Sequence, residues 1–96
     1  MALFLVHHEH SNASCPAGDK EMGPMLLNHL SKANAAKFGV SIHGEAVIDG
    51  AHTLYLIIEA NDQKNVDQFM TPFAQLGSVD IRSASHCETV VARGSC

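Results

Sequence analysis

Basic residues are scarce in this chain: six lysines and arginines stand against ten acids, leaving a formal charge of −4. With no basic stripe, and almost no aromatic side chain suited to base stacking beyond Tyr55, the composition argues against nucleic acid as a partner. Long apolar runs are missing too. None approaches the ~20 residues that span a bilayer, and Met1-Ala2-Leu3 lacks the basic start and long apolar run of a secretory signal, which points to a cytoplasmic protein. Cysteines number three (Cys15, Cys87 and Cys96), too few and too odd for a disulfide scaffold. In a reducing compartment they are thiols, free to act as ligands or nucleophiles. Charged residues make up only 17% of the chain and apolar ones 46%, so disorder is excluded as well. Residues 1–96 are the length of a single domain. Such a chain buries roughly 60–65% of its unfolded surface, enough to fold alone and little enough for a partner to add useful burial.

Histidine, by contrast, is abundant, with seven copies. Three of them follow an apolar run of strand composition: Leu3-Phe4-Leu5-Val6 leads directly into His7-His8-Glu9-His10, and Cys15 lies five residues further on. Soft and borderline metal ligands are nowhere else so dense.

The connection from His10 to about Gly23 is rich in Ser, Asn, Gly and Asp, and exceeds the usual loop length in small domains, a mark of functional loops. Ser14 is expected to cap a helical turn with Pro16 near its start, and Gly23-Pro24 either kinks that turn or begins a new helix. From Pro24, the residues Leu26, Leu30, Ala33 and Ala36 form an apolar helical stripe. His29 borders the stripe as a packing residue, and Gly39 ends the helix in a left-handed cap. Val40 to Ile48 alternates as a half-buried strand. Asp49-Gly50-Ala51-His52 reads as a hairpin connection, and Thr53 to Glu59 as the strongest strand. Asn61 or Asp62 caps a second helix carrying Val66, Phe69, Met70 and Phe73, which Thr71-Pro72 is expected to bend and Gly77 to stop. Val79 to Arg82 begins a last strand. After a break at Ser83-Ala84-Ser85, Cys87 to Val91 is expected to resume it.

The order β-α-β-β-α-β predicts an α+β fold of the ferredoxin-like type: a four-stranded antiparallel sheet with both helices on one face. On strand alternation, Val40, Ile42, Ala46 and Ile48 face the helices, and His43, Glu45 and Val47 face outward beside Tyr55, Ile57 and Glu59. That open face is too apolar for solvent. A second copy of the sheet, packed by two-fold symmetry, is the simplest cover, so a homodimer is expected.

Across the whole layout the chain resembles the dimeric α+β barrel superfamily, and most of all its small nickel-binding-type proteins of otherwise unknown function. The resemblance rests on a short first strand running into histidine and on the stretch from Gly50 to Asp62, with Leu54-Tyr55-Leu56-Ile57-Ile58-Glu59-Ala60-Asn61-Asp62 entering the second helix. It implies pairing of two subunits sheet against sheet. It also implies a second class of activity, cofactor-independent monooxygenases and isomerases, with a small-molecule ligand in the barrel pocket.

Two functions from different classes follow. In the first, His8, His10 and Cys15 hold a divalent transition metal (nickel, zinc, copper or iron), since His8 and His10 share one side of the strand and His7 points to the other. His43, with Glu45, and His86, next to Cys87, are further candidate ligands. Imidazole and thiolate suit these ions and disfavour magnesium and calcium. In the second, His43 with Glu45 or Glu59 acts as a general base, or Cys15 acts as a nucleophile. A plain interaction module with incidental histidines is the third alternative.

Overall fold

The computed structural model covers residues 1–96. Four strands, β1 (Ala2–His10), β2 (Val40–Ile48), β3 (Thr53–Ala60) and β4 (Gly77–Ala84), form one antiparallel sheet in the order β2-β3-β1-β4. This is the ferredoxin-like α+β arrangement. β1 is central: it pairs with β3 from Ala2↔Ala60 to Glu9↔Thr53 and with β4 from Leu3↔Ala84 to His10↔Gly77. Alternation sends Phe4, Val6 and His8 to the buried face, with Leu54, Leu56 and Ile58 beside them from β3.

The first helical region is split in two. α1 (Met22–His29) is capped by the carboxylate of Asp19, which accepts from the backbone N–H groups of Glu21 and Met22 at 2.8 Å each. α2 (Lys32–Lys37) has Ser31 as its own cap, accepting from the Asn34 N–H. Because the break resets the helical phase, Ala35 is buried and Ala33 and Ala36 are exposed, contrary to the single stripe expected from Leu26 to Ala36. Gly39 adopts the expected left-handed conformation (φ +73°).

α3 (Gln63–Phe69), capped by Asp62, and α4 (Thr71–Ala74) are likewise separate. The expected bend at Thr71-Pro72 is a full interruption at Met70, with Pro72 in the first turn of α4, where its missing N–H costs nothing. Val66, Phe69, Met70 and Phe73 from this pair are all buried against the sheet. His29 is a packing residue: its Nε2–H donates to the Phe69 carbonyl at 2.6 Å, and its ring stacks on Phe69 at 4.6 Å.

Two further expectations are overturned. Cys87 to Val91 does not resume the sheet; Cys87–Arg93 is a helix, α5, ended by Gly94 at φ +75°. Glu88 in its first turn and Arg93 in its last complement the helix dipole, signals that outweigh the β-branched Val90-Val91. The second correction concerns β2. A bulge lies between Ile42, paired with Ile58, and Gly44, paired with Ile57. His43 is the extra residue, and the side chains that follow it, through Val47, change face. Glu45 and Val47 therefore oppose the buried Leu56 and Leu54 on the helix side, while Ala46 opposes Tyr55 on the open side.

No helix is long and apolar enough to cross a membrane.

Candidate metal centre

The C-terminal end of β1 closes against the β2–β3 hairpin. The backbone N–H of His10 donates to the His52 carbonyl at 3.1 Å, which brings the two imidazoles to a centroid distance of 5.3 Å. His52 has φ +51° and is the one non-glycine residue of the chain at positive φ, a conformation that costs a β-carbon residue of order 1 kcal/mol and gathers at functional sites. The long connection supplies the third group. After β1, Ser11 caps a single 3₁₀ turn (Asn12–Ser14), accepting from the Ser14 N–H, so the helical turn lies before Cys15-Pro16 and Ser14 is its last residue instead of the cap of a turn that follows. The turn directs Cys15 back to the strand end. His10, Cys15 and His52 each place one ligand atom within 4.8 Å of the other two.

His8 lies directly behind this group. Its Nδ1 is 2.9 Å from the Ser78 carbonyl, and its Nε2 is 3.2 Å from Nδ1 of His10. A carbonyl can only accept, so His8 carries its proton on Nδ1 and presents a bare Nε2; His10 then donates from Nδ1. This leaves the lone pair of His10 on Nε2, an atom closed to water and without any hydrogen-bond partner. A buried acceptor with no donor is costly, and an ion supplies what it lacks. Burial lowers the His8 pKa below the ordinary imidazole value; the bond to Ser78 opposes this, and the nearby His10 and His7 add to it. His10 is lowered too, by burial and then by His52. Both effects favour the neutral, ligating form.

The five residues singled out as ligands in the sequence are thus divided between two faces. His10 and Cys15 converge; His8 stands behind them with both nitrogens engaged. His43 and His86 lie together on the opposite, open face, with ring centroids 6.4 Å apart. There His43 Nε2 is 3.3 Å from Glu59 Oε1. Of the candidate catalytic pairs, His43 and Glu59 meet, whereas Glu45 is carried to the other face by the bulge. His52 escaped the sequence reading because it sits in the hairpin turn, far from His10 along the chain; its register opposite the end of β1 was the signal available.

His8, His10, Cys15 and His52 also line a cavity of about 690 Å³ between the sheet and α1, whose walls include Leu26, Leu30, Val47, Leu54 and Phe73.

A family model described as "Domain of unknown function (DUF3303)" matches residues 3–95. No curated protein and no solved structure matches the chain.

Proposed function

The chain belongs to the DUF3303 family, whose description assigns no chemistry, and from its own residues we propose that it binds a divalent transition metal through His10, Cys15 and His52. The observation that carries this reading is the convergence of the three ligand atoms within 4.8 Å, with Nε2 of His10 buried and unpartnered. Two imidazoles and one thiolate suit nickel, zinc, copper or iron, and three protein donors leave a four-coordinate ion one open position. When bound, the ion supplies a Lewis acid to whatever occupies the cavity beside it. The protein's own residues provide orientation: the Ser78 carbonyl fixes the His8 tautomer, and His8 fixes that of His10.

A second copy of the chain on the open sheet face is part of the same proposal. Leu5 and Ile57 are each about 40% exposed there and pair side by side, next to Tyr55 stacked on His7 at 4.7 Å. This is the sheet-to-sheet pairing that the dimeric α+β barrel resemblance implies. The His43–Glu59 contact on that face supports the runner-up, a general base working without a cofactor. Elemental analysis and calorimetric titration of protein made without a histidine tag decide between the two. Stoichiometric binding of nickel or zinc, lost in Cys15→Ser and His52→Ala, is the expected result. Binding that survives both substitutions removes the site.

A further inference from the structure

Building on this metal reading, we propose that the cavity beside His10, Cys15 and His52 takes a small organic thiol with an apolar body, whose sulfur completes the coordination of the ion. The same side chains that converge as ligands form one wall of the cavity, so the open coordination position gives onto a largely apolar cleft that opens to solvent along Leu27 and Val47. Its volume of about 690 Å³ lies within the range of small-molecule sites. Leu26, Leu30, Leu54 and Phe73 offer the body of a ligand no polar partner.

Charge narrows the class further. No lysine or arginine lines the cavity, and its charged groups are the acids Glu45 and Asp49. A phosphate or dicarboxylate therefore finds no counter-cation beyond the ion itself and meets two carboxylates. A divalent ion already bound to the Cys15 thiolate keeps one net positive charge, which a single anionic donor cancels; an uncancelled charge in apolar surroundings is costly. A donor set of one thiolate and two imidazoles selects borderline-soft ions, and these favour sulfur. On binding, the thiol releases its proton to solvent as its sulfur joins the metal; no electrons change hands.

The test uses full-length, untagged protein loaded with cobalt(II), whose visible absorption reports its ligands. Benzyl mercaptan and 2-mercaptoethanol, thiols of similar acidity, are titrated in parallel. We expect cobalt bands before any thiol is added, and benzyl mercaptan binding roughly 10–100-fold more tightly, the effect of burying an aromatic ring. Leu27→Asp and Val47→Asp alter cavity-lining side chains that are 73% and 61% exposed, so the fold and the cobalt bands should survive while most of the preference disappears. Absence of cobalt bands from the outset overturns the metal reading, and this proposal with it. Bands that form while the two thiols bind alike, a preference untouched by both substitutions, or release of cobalt to the added thiol overturns the cavity proposal and leaves the metal reading standing.

Discussion

His10 donates its Nδ1 proton to Nε2 of His8 across 3.2 Å, and His8 in turn donates to the carbonyl of Ser78. Neighbouring strands of one sheet thus dictate which nitrogen of His10 remains free. Replacing His8 by Ala should leave all three converging donors in place and still weaken metal binding by roughly 10–100-fold, the usual effect of losing such an outer partner. Removing His10 should abolish binding. Calorimetry on both variants checks the difference, and equal losses would assign His8 to the coordination sphere itself.

His52 carries both a ligand and a backbone penalty. His52→Gly should abolish metal binding while the metal-free protein becomes no less stable, because glycine adopts positive φ without strain. Paired denaturant melts and metal titrations make this visible. A clear drop in metal-free stability would mean that the imidazole packs more strongly than the turn is strained.

Gly77 has no room for a side chain: a β-carbon there would lie 2.0 Å from the Glu9 carbonyl oxygen. Gly77→Ala must push β4 away from the end of β1, costing about 1–3 kcal/mol. Ser78 follows directly, so the His8 bond to its carbonyl should loosen as well. A lowered denaturation midpoint together with weaker metal binding is expected; a loss of stability alone would uncouple the strand from the site.

Acid should destabilise the metal-free protein. The folded pKa of His8 lies below its ordinary value, so the unfolded chain takes up the proton first as the pH falls. The contribution of His8 is complete above about pH 6.5 and is lost as the pH drops from there toward the folded pKa. Its slope is at most about 1.4 kcal/mol per pH unit. Melts across pH 4.5–8 in the presence of a chelator, for wild type and His8→Phe, should differ in slope in the acidic part of that range and run parallel above it.

Pairing through the open sheet face is tested by sedimentation. A dimer at micromolar concentration is expected, dissociated by Ile57→Lys, which places a charge beside Leu5. A wild-type monomer under these conditions would leave Leu5 and Ile57 as solvent-facing residues.

The order of the four strands and the separation of His7 from His8 and His10 were legible in the sequence, because alternation and helical periodicity are local. Cys15 was legible as well, from the length of its loop. Two of the misplacements share one cause, a change of phase. Ser31 restarts a helix and His43 bulges a strand, and each leaves hydrophobicity on both sides plausible for either register. Cys87–Arg93 was misread because two valines outweighed Gly94 and the paired end charges. His52 was invisible for a different reason: its partners come from β1 and the long connection, and no local pattern reports a contact made through register.

The bulge at His43 makes β2 two strands spliced out of phase. Its first half, with Val40 and Ile42, answers to the helices, and its second, with Glu45 and Val47, to the cavity. Deleting that one residue would exchange the inner and outer faces of the second half while leaving the first untouched. A single insertion or deletion at this point would redecorate this wall of the pocket in one step, leaving Leu26, Leu54 and Phe73 of the shared core in place.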